Sequence, residues 1–269
     1  MKGREVFKHV PVRARVGASR ALINGNVPWE HVTASDLAAG LAPRYRTIYL
    51  PSQVALSNRM LEELRRYAEQ GGRVVLDAPG GWYDHRGHVL DTDTGTPFEQ
   101  LFGAVVADYA YASNVPRRLA VPGAGERTLY GFIMELSLTT ARAAQHFSTG
   151  EVAVSRNRVG AGEAIILAYE ASASCWQPGN PGAEAEIRRW SLGADRLPYA
   201  CADGVVYRIA SPRADHYFLL NDGPQRSFAL ETPGYEYHSC SDAETGETLD
   251  PDSGIVVEAH DARWIRMEK

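Results

Sequence analysis

The chain has 269 residues, 44% of them hydrophobic and 23% charged, with a formal net charge of −5. That is enough chain for one large or two ordinary domains with real cores, at ordinary globular composition. Scattered rather than clustered Lys and Arg exclude a nucleic-acid surface, and no apolar run approaches the roughly 20 residues a membrane span requires.

At the N-terminus, MKGREVFKHVPVRAR has no apolar stretch behind its basic residues. No secretory signal is therefore read, and a cytoplasmic location is expected. Residues 13–25 predict a helix with Val16, Ala21, Leu22 and Ile23 on one face and Gly25 as its stop, and VPWEHVT (27–33) predicts a strand. RTIYLP (46–51) is a second strand, ending at a proline that cannot continue a ladder. Ser57 then caps a helix that buries Met60, Leu61, Leu64, Tyr67 and Ala68 and stops at Gly71 and Gly72. RVVLDA (73–78) follows as a strand, parallel to the preceding one through a right-handed crossover.

Pro97 opens a short helix that Gly103 closes, and strand pieces are expected near 105–111 and 127–133. Residues 151–170 read as a hairpin turning at 159–162, and Asn180 caps a helix with Pro181 in its first position. From about 196 onward, short alternating segments such as GVVYRIA, DHYFLLN and RWIRME are separated by turn-rich pieces, the pattern of a small antiparallel β-sandwich. The expected domains are an α/β domain over 1–195 and a β-sandwich over 196–269.

The candidate site is the loop DAPGGWYDHRGH (77–88) leaving the carboxyl end of a strand, where α/β proteins usually hold ligands. Trp82 and Tyr83 would stack on a sugar ring, while Asp77, Asp84 and His85 would exchange hydrogen bonds; the plainer reading is a Gly-Gly turn anchored by its tryptophan. Cys175 and Trp176, after the strand AIILA, mark a second place at the same edge. The cysteines Cys175, Cys201 and Cys240 are widely spaced, without zinc-ligand spacing, and read as reduced thiols. Asp91 and Asp93 lack the remainder of a calcium loop, Glu30 and His31 would face opposite sides of a strand, and GAGE (160–163) precedes a strand and is a turn. Neither metal nor cofactor is expected.

YRTIYLPSQVALSNRMLEELRRYAEQGGRVVLDAP, followed by FEQLFGA and VSRNRVGAGEAIILA, resembles the trimerisation domain of bacterial family 42 beta-galactosidases. The tail, with Phe218-Leu219-Leu220-Asn221 ahead of Thr245-Gly246-Glu247, resembles that family's C-terminal β-domain. The resemblance implies a class I glutamine-amidotransferase-like (flavodoxin-like) fold with a mostly parallel sheet and flanking helices, EVFKHVPV (5–12) being the candidate for its opening strand. The family's catalytic glutamates lie in a TIM barrel of about 250 residues. Only about 26 residues precede the first matching strand, so no barrel is expected.

Amidotransferases of this fold set a cysteine on a strand-to-helix elbow, whereas this chain has Asp77, Ala78 and Pro79 there, and that activity is not expected. The resemblance thus implies a non-catalytic accessory or oligomerisation subunit, a trimer or the partner of a separate TIM-barrel glycosidase subunit, with loop 77–88 as a rim or interface. The alternative is a small sugar-binding or sugar-modifying protein of ThuA-like type using the 77–88 edge, with carbohydrate as partner and neither nucleic acid nor membrane.

Overall fold

A computed structural model describes residues 3–40, 44–112, 117–121, 125–201 and 204–269. The chain divides into two compact units, Met1–Ala21 with Glu30–Gly193, and Leu22–Trp29 with Ala194–Lys269.

The first unit opens with α1 (Gly3–Asn24), which runs through Pro11. The segment 5–12 is therefore helical and not a strand. Val10, Ala14, Gly17, Ala18 and Ala21 are buried at three- and four-residue steps, so the packed stripe begins well before residue 13. Val16, expected on the inner face, points outward at 46% exposure. Small residues on the stripe allow close approach: a Cβ on Gly17 would collide with the carbonyl oxygen of Ser172.

Residues 27–33 form no strand. Pro28 has no N–H to give a ladder, and Thr33 is committed as the cap of α2 (Ala34–Ala38), where its hydroxyl and the Asp36 carboxylate form a reciprocal capping box. Glu30 accepts a hydrogen bond from the Tyr45 hydroxyl at 2.6 Å.

β1 (Thr47–Leu50), α3 (Asn58–Glu69) and β2 (Arg73–Asp77) form the expected strand–helix–strand unit, and the strands pair in parallel. The Ser57 hydroxyl accepts from the Met60 N–H at 3.1 Å, and Leu61, Leu64, Tyr67 and Ala68 are buried. Burial of each leucine contributes about 1.5–3 kcal/mol. Gly72 lies flat on the Tyr67 ring, where any side chain would clash.

α4 (Pro97–Phe102) has Pro97 in its first turn and Gly103 left-handed at its end. The weakly patterned middle then folds as two antiparallel ribbons. β3 (Ala104–Tyr111) pairs with β6 (Phe132–Leu138), and β4 (Arg117–Val121) pairs with β5 (Gly125–Leu129), so the piece expected at 127–133 belongs to two strands. β7 (Arg142–His146), β8 (Val152–Val159) and β9 (Gly162–Leu167) complete the main sheet, in the order β1-β2-β9-β8-β7. α5 (Pro181–Leu192), capped by the Asn180 side chain, packs on β1 and β2.

This sheet is mixed rather than mostly parallel. β1, β2 and β9 run together, but β8 is antiparallel to β9 and β7 to β8. The tight turn at Gly160–Ala161 forces that reversal, since a two-residue connection joins only antiparallel neighbours.

The second unit is all antiparallel. β10 (Ala200–Cys201) pairs with β14 (Leu230–Glu231), and β13 (Arg226–Phe228) with β16 (Ile255–Val257). β11 (Val205–Ala210), β12 (Ala214–Leu220), β17 (Ala262–Glu268) and β15 (Ser239–Asp242) form a four-stranded sheet in the order β11-β12-β17-β15. Alternate residues of this sheet, among them Val206, Tyr217, Leu219, Ile265 and Met267, share one core with Phe228, Leu230, Ile255 and Val257 of the two short ladders. Asn26, buried at a φ of 55°, donates to the carbonyls of Cys201 (2.9 Å) and Gly204 (3.1 Å) and accepts from the Val206 N–H (2.8 Å).

Candidate functional site

The carboxyl ends of the three parallel strands meet at one edge of the first unit, and Asp77, the last residue of β2, is fully buried there. Its Oδ1 accepts from the backbone N–H of Ser52 and from the Ser52 hydroxyl (3.3 Å). Its Oδ2 accepts from the Tyr49 hydroxyl (3.2 Å) and the Ser172 N–H (2.7 Å). Ser52 reaches it by adopting a left-handed φ of 42°, and its hydroxyl also contacts the Ala78 carbonyl at 2.6 Å. Burial pushes the Asp77 carboxyl up to about 6, against the opposing pull of the Ser172, Ser52 and Tyr49 hydrogen bonds. Four donors from two segments, Tyr49–Ser52 and Ser172, leave this carboxylate engaged within the fold, as a tie between loops.

Beyond Asp77 the loop is anchored by its aromatic residues. Trp82 is half-buried and stacks on Tyr109 of β3, with centroids 4.3 Å apart and planes 8° apart. Phe132 meets the same indole edge-on at 5.5 Å, and the Tyr109 hydroxyl donates to the Gly80 carbonyl at 2.8 Å. Tyr83 bridges backbone to Ala55 and to Val89.

Asp84 closes the tip as a turn, accepting the N–H groups of Arg86 (2.8 Å) and His88 (2.9 Å). Burial alone would raise this carboxyl, but those two N–H groups outweigh it and hold it below its ordinary value. His85 is exposed at the tip, away from the Asp77 tie. Asp91 accepts from the Asp93 N–H at 3.0 Å in the following turn, and both side chains face solvent.

The second candidate segment follows β9. Cys175 ends a short 3-10 turn (Ala173–Cys175) and is buried, its thiol directed at the Ala171 carbonyl at 3.6 Å. Burial pushes the thiol up to about 12, which removes it as a nucleophile at neutral pH. Trp176 is 41% exposed; the Arg13 guanidinium of α1 lies 5.6 Å from its ring centroid, and Arg20 donates to its carbonyl at 3.4 Å.

Glu170 was not singled out in the sequence. It stands three residues past the end of β9, half-buried, and accepts the Phe132 N–H at 2.7 Å. Gly131, at a φ of 94°, leaves the space its carboxylate fills. Burial pushes Glu170 up to about 7; the Phe132 hydrogen bond opposes this, and the negative charge of Asp77 adds to it. The available signal was its place just past a buried strand at the sheet's carboxyl edge.

The edge thus gathers Asp77, Glu170 and Cys175 and ties Glu170 to Trp82 through Phe132, while His85 stands apart. It offers two carboxyls held above their ordinary values and a thiol held protonated. Among the described residues, no group of three His, Cys, Asp or Glu side chains is placed to hold a metal ion, and no helix is long and apolar enough to cross a membrane.

Comparison with solved structures finds the fold in several glycosidases. A catalytic mutant of Gan42B, a GH42 beta-galactosidase from G. stearothermophilus, superposes with a TM-score of 0.78 at 16% identity, over 97% of this chain and 37% of its own. The beta-galactosidase of Bacillus circulans sp. alkalophilus gives 0.76 at 14% identity, over 96% and 37%. That of Rahnella sp. R3 gives 0.71 at 15% identity, over 94% and 36%. The chain therefore spans little more than a third of the length of these proteins. No curated protein sequence matches it. Residues 20–177 match the beta-galactosidase trimerisation domain, and the chain belongs to that family.

Proposed function

We propose that this chain is an oligomerisation module of a beta-galactosidase-like assembly and does no chemistry by itself. The observation that carries the reading is the trimerisation-domain match over residues 20–177. The internal bonding at the sheet edge supports it: Asp77 and Asp84 are occupied by N–H and hydroxyl groups of the chain, and Cys175 is buried. The same bonding leaves the ThuA-like alternative without support at its two carboxylates, because Asp77 and Asp84 are already occupied within the chain and His85 stands apart from them.

Rigid anchoring by Trp82 and the Asp84 turn suits a loop offered to a neighbour, with His85 and Val89 exposed at its tip. Cyclic closure of a heterologous contact would give a ring of three, with a separate barrel subunit as the other partner. We keep the amidotransferase-like description for the first unit, on the strength of the parallel β1-β2-β9 core. A cytoplasmic location fits three buried cysteines that form no disulfide.

Light scattering across a concentration series tests the reading. A concentration-stable trimer is expected for the chain alone, or a stable complex once a barrel subunit is supplied. A monomer that also fails to bind such a subunit would overturn it.

A further inference from the structure

We propose that the outer face of the four-stranded sheet in the second unit binds neutral carbohydrate, with sugar rings stacked on Tyr207, Phe218 and Trp264. Inward residues of this sheet are spent on the core, and the alternate residues face solvent. Register places Tyr207 opposite Phe218, and Phe218 opposite Trp264, on three successive strands. At about 4.8 Å per strand the row is about 10 Å long. Tyr207 is 41% and Trp264 38% exposed, with Phe218 half-buried between them, so the row reaches solvent at both ends.

The rings are held in place. Phe218 and Trp264 lie 5.6 Å apart with planes within 20° of each other. The Trp264 indole N–H donates to His216 Nδ1 at 3.0 Å. With Nδ1 accepting, that imidazole carries its proton on Nε2 and remains a donor. Arg266 lies opposite His216 in the next row of the ladder and pairs with Glu268 at 2.9 Å.

Charge decides the class of ligand. The aromatic row carries none, and Arg266, the cation beside it among the described residues, is matched by Glu268, so neither an acidic nor a basic partner gains from this face. A pyranose presents the complement: a C–H face polarised positive toward the negative faces of the rings, with hydroxyls around its rim within the compass of His216 and Arg266. Aromatic faces preset in this way bind without the cost of ordering side chains. This inference is independent of the oligomerisation reading, because a monomer would carry the same face.

The test is titration of the full chain with a β-1,4-linked galacto-oligosaccharide and, separately, a cello-oligosaccharide, followed by NMR of the five tryptophan indole N–H signals. The Trp264 signal, assigned with Trp264→Phe, is expected to move saturably with at least one sugar. Tyr207→Ala, which leaves the core intact, should weaken binding about tenfold, one stacking contact being lost. A Trp264 signal unmoved by either sugar at millimolar concentration would overturn the proposal. So would an affinity unchanged in Tyr207→Ala, or a Trp264→Ala protein that remains folded by circular dichroism but dissociates from oligomer to monomer, which would assign the face to a second copy.

Discussion

The backbone N–H of Ser172 meets Oδ2 of Asp77 at 2.7 Å across 95 positions of sequence. One carboxylate thereby fixes the loops leaving β1, β2 and β9 with respect to each other. Replacing Asp77 with Asn turns one of its two faces from acceptor to donor, directed at Ser52 or at Ser172 and Tyr49. A loss of about 1–3 kcal/mol is expected, to be read as a lower urea midpoint.

Asp77 and Glu170 both titrate in the folded chain above their ordinary values, at about 6 and about 7. For a raised carboxyl the associated stability is whole below the unfolded value and is lost as pH rises through the folded one. The wild-type protein should therefore lose stability between about pH 4 and pH 7. Glu170 would contribute on the order of 2–3 kcal/mol at most. Glu170→Gln should flatten the upper half of that profile, and denaturation midpoints at four pH values would expose a Glu170 without influence.

Trp82 and His85 lie three positions apart and should behave oppositely. Trp82→Ala removes the stack on Tyr109 and the edge contact with Phe132, at a cost of about 2–4 kcal/mol. His85→Ala at the exposed tip should stay within about 0.5 kcal/mol of wild type. Thermal unfolding of the two variants compares an anchor with a tip; equal shifts would contradict that division.

Gly17→Ala would ordinarily stabilise a helix by nearly 1 kcal/mol. Here the added methyl meets the Ser172 carbonyl, so a net loss of about 1–3 kcal/mol is expected. A raised melting temperature would show that α1 does not pack on the 172–176 turn as described.

Local signals were legible where cap, stripe and stop coincide. Ser57, the four buried residues of α3 and Gly71-Gly72 determine one helix within sixteen residues of sequence, and Asn180 with Pro181 starts another. The first half of α1 was not legible, because Pro11 stands inside it and, of residues 8–12, only Val10 is buried, too little to show a stripe. Residues 27–33 carry strand-like composition, but the cap at Thr33 and the donor missing at Pro28 prevail. The edge residues illustrate a different limit. Asp77 was recognisable as a carboxylate at a strand end, yet the groups that occupy it come from 25 and 95 positions away, a distance over which spacing carries no information. Glu170 escaped for the same reason, its partner Phe132 lying 38 residues upstream.

The Asn26 clasp constrains how this gene product can be divided or recombined. Leu22–Trp29 serves the second unit although most of the first unit is encoded between it and Ala194. The tail is therefore not a detachable cassette. A fragment starting at Ala194 would lose the amide that satisfies Cys201, Gly204 and Val206, and a chain stopped at Gly193 would keep that amide with nothing to hold. Any exchange of the tail between relatives would have to carry the short upstream stretch with it, so the two pieces are bound to be inherited together.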